Sequence, residues 1–422
     1  MTSSTPRRRP LRRAAATAAA AALALLTLAT PAVAAPSGAA PPGTAPAGTA
    51  ARPGAPSGAA PPGTAPRPGA PPDTVQGRLD ALVTDLGVPG ALLTVRDGRG
   101  RTAGRTAGVG DVATGAPVPL DGAVRVGSNT KSFVAVVLLQ LVDEGEVALD
   151  DTVDDHLPGL VRGEGIDGGN ITIRQLLHQS SGLPDYSDHL GDEVRHYEPR
   201  ELLDVALRHP AAFRPGASWQ YSNTNYLVAG MIIEEVTGRP LSEELNRRII
   251  RPLGLRHTYL PAPGDTTIRG PHPEGYDRPA PGAPLVDVTE LDPSWAWAAG
   301  GLVSTNSDLD RFFTALLEED RLLPGDLLAE MRTTTPAEDT FGPGAEYGLG
   351  LVRRPLSCGG YYWGHGGSYP GYETRAGATA DGRSAGVAVT AQVTDRAGRQ
   401  RLDDLVDAAL CALPDAAPGG HR

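Results

Sequence analysis

The chain has 422 residues, of which 38 are basic and 49 acidic, and its formal net charge is −11 at pH 7. The first 34 residues hold five arginines and no acid, so the charge from residue 35 onward is −16. An acidic body of this kind disfavours nucleic acid or another polyanion as a partner. The chain has two cysteines and lacks both an HExxH sequence and a phosphate-binding loop that ends in Gly-Lys. We therefore expect neither a metal site nor a cofactor.

The N-terminal residues 1–34 have the three parts of a cleaved export signal. Five arginines between positions 7 and 13 precede an Ala/Leu-rich stretch over 14–29, and the small residues Ala-Val-Ala follow at 32–34. A membrane anchor is the alternative, but the apolar run is rich in alanine and short for a membrane span. The pattern predicts a secreted, extracellular protein without stable membrane insertion.

Residues 35–74 read as a disordered linker. Of the 38 positions from 35 to 72, 31 are Ala, Pro or Gly, and the string APSGAAPPGTAP at 35–46 returns unchanged at 55–66. Such a tract lacks the large apolar side chains that would offset its ordering entropy. A cell-wall tether is the functional alternative. At the other end of the chain, residues 413–422 are expected to form a flexible tail.

Residues 75–412 show strand patterns at both ends and helical patterns between them. Short alternating segments with Gly-rich turns occupy 91–115, and strand-like runs such as YYWGHGGS and SAGVAVTAQV return near the C-terminus. Helical stretches such as SFVAVVLLQLVDEG and YLVAGMIIEEVTG are each closed by a glycine. We therefore expect an α/β (α+β) protein. Its sheet domain would comprise about 75–127 and 300–412, and a mainly helical region over about 128–299 would be inserted into it.

Lys131 is the one lysine in a chain whose other 37 basic residues are arginines. It follows Ser128 by three positions at the start of a long apolar predicted helix, so the two side chains share one helix face. A serine hydroxyl needs a base to become a nucleophile, and a buried lysine can give up a proton whereas arginine cannot. The pattern predicts Ser128 as a nucleophile and Lys131 as its base. A capping serine with a solvated lysine is the alternative.

Two further motifs carry groups that suit an amide substrate. Tyr221 and Asn223 are two positions apart in the segment WQYSNTNY, where an extended backbone would direct a phenol and a carboxamide to the same side. His365 and the Gly-Gly-Ser sequence after it lie on a predicted strand, and glycines there would allow a ligand backbone to approach closely. An interfacial tyrosine with a helix-capping asparagine, and a bulged edge strand, are the structural alternatives.

The order and contexts of these Ser-x-x-Lys, Tyr-x-Asn and His-x-Gly motifs resemble the penicillin-recognising serine hydrolases. The likeness is to the branch of class C β-lactamases and secreted D-alanyl-D-alanine carboxypeptidases, and most of all to the secreted actinobacterial-type carboxypeptidase. It runs through most of residues 75–412 and includes TIRQLLHQSSGL, SWAWAAGGLVST and LSCGGYYWGHGG. The resemblance implies a β-lactamase/transpeptidase-like fold with the active site where the sheet meets the helical region. It also implies a secreted serine hydrolase, foremost a D-alanyl-D-alanine carboxypeptidase-like, penicillin-binding enzyme that acts on cell-wall peptides. The implied substrate is a peptide or a β-lactam, with cell-wall peptidoglycan as a candidate partner.

The resemblance further implies a role for each residue of the motifs. Ser128 would be acylated, Lys131 would be its base, and Tyr221 would shuttle protons. Asn223 would contact the substrate amide, and His365 would be an electrostatic partner beside Tyr221. The backbone amides of Ser128 and Ser368 would form the oxyanion hole. The remaining substrate contacts would come from Trp295, which would form a wall of the cleft, and from Gly366, Gly367 and Ser368. The resemblance assigns no role to Trp297.

The sequence departs from the family pattern where a carboxypeptidase holds the terminal carboxylate of its peptide. The arginine and threonine that do so are replaced here by Val352 and Gly366. Arg353 and Arg354 are adjacent, but Arg353 should face the other side of the sheet. We therefore expect weak discrimination between free-acid and amidated substrates. If the protein nevertheless prefers the free acid, these two arginines are the first candidates to hold the carboxylate. A family-type β-lactamase or esterase stays open as an alternative, as does a non-catalytic penicillin-fold binder. An α/β-hydrolase is disfavoured because no Gly-x-Ser-x-Gly occurs.

The two cysteines are expected to form a disulfide bond. Cys358 lies between predicted strands and Cys411 in the predicted final helix, 53 positions later. Export and an even cysteine count both favour the pairing.

Overall fold

The computed structural model describes residues 74–191, 195–280 and 282–413. The predicted signal peptide over 1–34 lies outside the described residues, as do positions 35–73 of the predicted linker and 414–422 of the predicted tail. These assignments therefore stay predictions.

The described chain contains fourteen β-strands and thirteen α-helices, joined by shorter helical turns. The strands are β1 (Gly90–Arg96), β2 (Thr102–Gly108), β3 (Val124–Arg125), β4 (Arg162–Gly163), β5 (Ile166–Asp167), β6 (Tyr276–Asp277), β7 (Val286–Asp287), β8 (Val303–Ser304), β9 (Thr335–Pro336), β10 (Glu346–Tyr347), β11 (Val352–Pro355), β12 (Tyr361–Tyr369), β13 (Tyr372–Thr379) and β14 (Ser384–Val389). The helices are α1 (Val75–Leu86), α2 (Thr130–Asp143), α3 (Val153–His156), α4 (Ile173–Leu177), α5 (Pro199–Leu207), α6 (Asn223–Thr237), α7 (Leu241–Leu245), α8 (Arg251–Leu253), α9 (Trp297–Gly300), α10 (Asn306–Leu317), α11 (Gly325–Met331), α12 (Glu338–Phe341) and α13 (Arg396–Ala412).

Eight of the described strands form one antiparallel sheet in the order β2-β1-β14-β13-β12-β11-β10-β9. The first strand pairs with the last, with Ala91 opposite Val389, so both ends of the described chain meet in this sheet. Helices α2 to α9 come from the chain between β3 and β8, a short strand pair that stands apart from the large sheet. The predicted fold class, an antiparallel sheet with flanking helices and an inserted helical part, is confirmed.

Alternation along the strands gives the sheet two buried faces. On β1, Leu92 belongs to the core that contains Phe312 of α10, whereas Ala91 and Leu93 belong to the core between the sheet and helices α1 and α13. The sheet is therefore a layer between α10 on one side and α1 with α13 on the other.

Helix α2 lies deep in the larger core. Its aliphatic side chains are buried around its circumference, and Phe133 stacks on Phe312 of α10 with 3.7 Å between ring centroids. Helix α6 packs against α2 and ends, as expected, at Gly238 in the left-handed conformation with φ of 64°. This packing fixes the starts of both helices, which carry the predicted site residues. Within the parts of the chain that the structure describes, no helix is both long and apolar enough to cross a membrane.

The predicted disulfide bond is confirmed. Cys358, in the turn between β11 and β12, is bonded to Cys411 of α13, with 5.7 Å between their Cα atoms. The same turn is held a second time, because the backbone N–H and the hydroxyl of Ser357 both donate to the carboxylate of Asp407 on α13.

Candidate active site

Ser128 lies in a 3-10 turn, Gly127–Asn129, that leads directly into α2. The turn begins at Gly127 with φ of 51°, and any Cβ there would lie 2.7 Å from the carbonyl oxygen of Ser368. A glycine is therefore required by both conformation and space. The hydroxyl of Thr130 donates to the Gly127 carbonyl over 2.7 Å and helps to fix the turn. This places Ser128 against strand β12.

Lys131 is completely buried and its amine meets three oxygen atoms. The Nζ atom lies 3.0 Å from Ser128 Oγ, 2.6 Å from Asn223 Oδ1 and 2.7 Å from the carbonyl oxygen of Ala299. Two of these partners are carbonyl oxygens that can only accept. A neutral amine has two N–H groups and one lone pair, so with both N–H groups used there, the lone pair is left for the Ser128 hydroxyl. The geometry suits a lysine that acts as a base.

Burial also shifts the protonation equilibrium of this lysine towards the neutral form. It lowers the pKa of Lys131 to about 7, whereas the negative charge of Asp185 acts in the opposite direction. Asp185 is buried behind Asn223 and accepts hydrogen bonds from the Asn223 backbone N–H and Nδ2 over 2.9 and 3.0 Å. A substantial fraction of Lys131 is therefore deprotonated at neutral pH.

The Tyr221 side chain lies beside Ser128, and the Lys131 amine lies 4.8 Å from the centre of its ring. Burial, with the neighbouring Tyr347, raises the pKa of the Tyr221 phenol well above its usual value. The phenol therefore stays protonated near neutral pH. Tyr221 is therefore suited to relay protons, and Lys131 is suited to act as the base.

Asn223 is the first residue of α6, and both the oxygen and the nitrogen of its carboxamide make hydrogen bonds. Its oxygen accepts from Lys131, and its Nδ2 donates to Asp185 and, over 3.1 Å, to the hydroxyl of Ser187. In this arrangement Asn223 orients the lysine. Its predicted contact to the substrate amide stays a prediction.

His365 lines the cleft on β12 beside Tyr221, with 6.3 Å between the ring centroids. Its Nδ1 lies 2.5 Å from the carbonyl oxygen of Gly366, which requires a proton on Nδ1, and its buried Nε2 has no hydrogen-bond partner among the described residues. Burial lowers the pKa of His365 to about 3. Any influence of His365 on Tyr221 at neutral pH therefore comes from a neutral ring.

The second half of β12 forms the edge of the cleft. Pairing with β11 stops at Gly364, whereas pairing with β13 continues to Tyr369, so the residues from His365 onward have one strand neighbour in the described chain. A Cβ on Gly367 would lie 2.8 Å from the backbone nitrogen of Ser128, and the Ser368 backbone touches the same turn. The backbone nitrogens of Ser128 and Ser368, the predicted oxyanion hole, are thus brought together.

Trp295 and Trp297 lie in different places. Trp295 lines the cleft as predicted, stacked at a tilt against Tyr369 with 5.3 Å between centroids. Trp297 instead packs on α6, so closely that a Cβ added to Gly230 would lie 3.0 Å from the indole ring. It lines a separate cavity and not the cleft.

These groups, except Trp297, lie around one cleft of about 610 Å³. Of the predicted site residues, the lysine is buried just beneath it, and the other predicted residues line it: Ser128, Tyr221, Asn223, Trp295, His365, Gly366, Gly367 and Ser368. No group of three or more His, Cys, Asp and Glu side chains within 74–191, 195–280 and 282–413 is arranged to hold a metal ion.

Several cleft residues were not expected from the sequence. Asp185 and Ser187 support Asn223 from a loop far away in the chain, and Phe341 stands edge-on to Tyr221 at 5.7 Å. Arg375 also lines the cleft. The sequence offers no spacing signal for these four residues, because tertiary packing alone brings them to the site. Arg354, one of the two adjacent arginines that the sequence analysis considers, lines the cleft too.

The comparison with protein families matches the model described as Beta-lactamase over residues 75–410. This chain belongs to the beta-lactamase family. As a family member it is a serine hydrolase with the penicillin-binding and beta-lactamase fold.

Solved structures similar to this beta-lactamase-family chain include two amide hydrolases. A D-stereospecific amidohydrolase from Streptomyces sp. is 41% identical with a TM-score of 0.72, and the match covers 79% of this chain and 97% of that one. A D-amino acid amidase from Ochrobactrum anthropi SV3, in complex with L-phenylalanine amide, is 30% identical with a TM-score of 0.71. The match covers 80% of this chain and 97% of the amidase.

Among curated relatives, Penicillin-binding protein 4* of Bacillus subtilis (strain 168) is 28% identical over 273 residues, or 61% of this chain. Protein flp of Staphylococcus aureus (strain MW2) is 29% identical over 191 residues, or 44% of this chain. The matches span 58% and 37% of those two proteins, so this beta-lactamase-family chain covers less than two thirds of either.

Proposed function

We propose that this chain is an acyl-enzyme amidohydrolase for small amides or short peptides whose acyl residue has the D configuration. The observation that carries the proposal is the buried Lys131 amine, with its lone pair available to Ser128 Oγ at the open edge of β12. The D configuration is supported by the 41% identity to the D-stereospecific amidohydrolase and by the likeness to the D-amino acid amidase.

In the proposed acylation step, Lys131 accepts the Ser128 hydroxyl proton as Oγ bonds to the carbonyl carbon of the substrate. The oxyanion that forms lies between the backbone N–H groups of Ser128 and Ser368. The lysine proton then passes through the Tyr221 hydroxyl to the leaving nitrogen, the carbon–nitrogen bond breaks, and the amine departs.

In the proposed deacylation step, water takes the place of the amine. It gives a proton to the same base and attacks the acyl carbon, and Ser128 Oγ leaves and recovers a proton. The net reaction is hydrolysis of one amide, with Ser128 and Lys131 restored.

D-alanyl-D-alanine carboxypeptidase activity is the second candidate. It is supported by the similarity to Penicillin-binding protein 4* and by the sequence motifs around Ser128, Tyr221 and His365. A β-lactamase or an esterase of the same family would use the same acylation groups, so substrate assays must separate these activities.

The test compares hydrolysis of D- and L-phenylalanine p-nitroanilide, a D-Ala-D-Ala peptide, a chromogenic cephalosporin and a short acyl ester. We expect the D-p-nitroanilide to exceed the L-form by at least about a hundredfold in kcat/KM. Ser128→Ala should abolish both turnover and the acyl adduct in intact-mass spectra. Lys131→Arg should do the same although it keeps the charge, because arginine cannot accept the proton. Equal rates for the two enantiomers would contradict the D specificity, and an adduct on Lys131→Arg at the wild-type rate would contradict the mechanism.

We also propose that the protein is exported with cleavage after Ala34. The arginine-rich head, the Ala/Leu stretch and the final Ala-Val-Ala support this proposal. The N-terminal residue of protein purified from a culture supernatant would test it.

A further inference from the structure

Helix α4 ends in a turn where a glutamine occupies the position that glycine usually takes. Gln179 has a φ of 64° and is one of three non-glycine residues with positive φ in the described part of the chain. Its backbone N–H donates to the Leu176 carbonyl over 3.2 Å, and that of Ser180 donates to the Gln175 carbonyl over 2.9 Å, which is the pattern of a Schellman cap. Glycine would adopt this conformation without strain, so a glutamine here points to a use for its side chain.

The completely buried Gln179 holds the stretch of chain that carries Tyr221. Its Oε1 accepts hydrogen bonds from the Ser222 backbone N–H over 3.0 Å and from Asn225 Nδ2 over 2.6 Å. Its backbone carbonyl oxygen accepts a third hydrogen bond, from the Gln220 N–H, over 3.0 Å. The residues immediately before and after Tyr221 are therefore both bonded to Gln179.

The carboxamide of Gln179 is present for its oxygen. Its Nε2 is buried without a hydrogen-bond partner among the described residues, and a buried donor without a partner costs stability. The opposite orientation of the carboxamide is excluded, because it would direct Nε2 at two other donors, from Ser222 and Asn225. A strained backbone and an unpartnered nitrogen are thus both kept together with the two hydrogen bonds to Oε1.

No helix or strand holds the segment 218–222, in which Tyr221 lies. Within the described chain, two backbone N–H groups of this segment make hydrogen bonds, and both donate to Gln179. Asn223, which orients the base, is held separately by Asp185. Loss of the hydrogen bonds to Gln179 would therefore move Tyr221 more than the base.

We propose that Gln179 is a positioning residue that holds Tyr221 where its hydroxyl can protonate the leaving nitrogen. The inference rests on the proposed function, in which Tyr221 passes the proton of Lys131 to the departing amine. Because an amine does not leave as an anion, hydrolysis of an amide needs this proton, whereas p-nitrophenolate can leave an ester without one. Loss of the Gln179 carboxamide should therefore slow amide hydrolysis and spare the ester.

The test compares kcat/KM for D-phenylalanine amide and for D-phenylalanine p-nitrophenyl ester, which share one acyl group. Gln179→Met keeps the length of the side chain without the acceptor oxygen. Gln179→Gly also relieves the positive φ, so it provides a second variant that the turn accommodates without strain. For both variants we expect the amide value to fall by about ten- to a hundredfold and the ester value by less than about threefold. A merely structural role would lower both values by the same factor.

A double-variant cycle separates action through Tyr221 from other effects. Tyr221→Phe should show the same selective loss on the amide. Adding Gln179→Met to it should cause little further loss, because the hydroxyl that Gln179 positions is already absent. Losses on the amide that multiply in the double variant would overturn the positioning role.

Gln175 provides a matched control on the same helix. It lies one turn earlier on α4, and its Oε1 accepts from the Thr172 backbone N–H over 3.0 Å and not from the segment that carries Tyr221. Gln175→Met therefore removes a glutamine hydrogen bond from α4 and should leave kcat/KM for both substrates unchanged.

An NMR measurement that needs no turnover keeps the positioning role and the proposed function apart. The ring resonance of Tyr221, identified by its loss in Tyr221→Phe, should move in both Gln179 variants and stay in place in Gln175→Met. An unmoved resonance in both Gln179 variants, or equal losses on the amide and the ester, would overturn the positioning role and leave the proposed function standing. A moved resonance in a protein whose wild type hydrolyses neither substrate would overturn the proposed function and leave Gln179 as the residue that positions Tyr221.

Discussion

At the scale of single residues, the reactivity of the site depends on how Lys131 is partnered. Two carbonyl oxygens, from Asn223 and Ala299, use its N–H groups, and burial lowers its pKa to about 7. Asp185 opposes this shift through its charge but also holds Asn223 in place. Asp185 therefore influences both the position of the Lys131 amine, through Asn223, and the pKa of that amine.

The pH dependence of acylation follows from this coupling. Because only neutral Lys131 can accept the serine proton, the acylation rate should rise with pH through about 7 and level off above it. Asp185→Asn removes the negative charge that raises the lysine pKa, so this rising limb should move to lower pH, by up to about one unit. Stopped-flow acylation from pH 5 to 9 by an N-acylated D-amino acid ester, which carries no titrating group, would measure the shift.

Ser187→Ala is the control for this prediction. It removes another hydrogen bond to Asn223 Nδ2 without changing any charge. The acylation rate should fall, while the rising limb of its pH profile should stay at the same pH. If the rising limb stays near pH 7 in Asp185→Asn, the protonation of a group other than Lys131 controls the acylation rate.

At the scale of elements, the site depends on the close contact between strand β12 and the turn before α2. Gly127 on the turn and Gly367 on the strand allow the two backbones to touch. A Cβ on Gly367 would lie 2.0 Å from the carbonyl oxygen of Val126 and 2.8 Å from the Ser128 nitrogen. These are backbone atoms, which cannot move without carrying the nucleophile with them.

Gly367→Ala should therefore reduce the acylation rate by about a hundredfold or more, the usual cost of losing an oxyanion donor. Gly366→Ala should cost less, because its Cβ would meet the side chain of Arg375 and not the backbone. Acylation rates of the two variants, compared after circular dichroism has shown that both are folded, measure the difference. Equal losses would contradict the role given to the backbone contact.

The disulfide bond joins α13 to the β11–β12 turn and closes a loop of 53 residues. In the chain-entropy model, a loop of this length contributes roughly 4 kcal/mol to the free energy of unfolding. The double variant Cys358→Ser with Cys411→Ser should lose most of that stability in urea unfolding. Neither cysteine lines the cleft, so the folded fraction should acylate at the wild-type rate. An unchanged unfolding midpoint would contradict the prediction.

At the scale of the whole molecule, one carboxyl group in the core works against stability. Asp310 of α10 is 1% exposed, and neither of its side-chain oxygens has a hydrogen-bond partner among the described residues. Burial raises its pKa well above the usual value. An acid whose pKa is raised on folding costs stability once the pH exceeds its unfolded-state pKa of about 4, and the cost grows until the folded-state pKa is reached.

Asp310→Asn should therefore increase the free energy of unfolding at pH 7, by about 1–3 kcal/mol. The gain should shrink as the pH approaches 4, where the wild-type carboxyl is protonated in both states. Asp308→Asn on the same helix should give a smaller gain, because burial also raises the pKa of Asp308 but its carboxylate accepts hydrogen bonds from the His257 N–H and the Thr258 hydroxyl. Urea unfolding at pH 7 and pH 4.5 provides the comparison, and a gain that does not depend on pH would contradict the assignment.

The sequence by itself determined the elements and the motif residues of this protein. Periodicity and closing glycines placed α2 and α6, and the single lysine three positions after Ser128 marked the reactive helix start, because such signals are local along the chain. The even cysteine count, together with the predicted export, was enough to pair Cys358 with Cys411.

Only the tertiary structure decided which distant residues support those motifs. Asp185 reaches Asn223 from a loop, and Arg375 fills the space next to Gly366 from the adjacent strand. Arg353 and Arg354 are neighbours in sequence, yet strand alternation turns one away from the cleft and the other into it. Burial then sets the protonation of Lys131 and His365. These properties arise from packing between segments far apart in the chain, so no pattern within one segment encodes them.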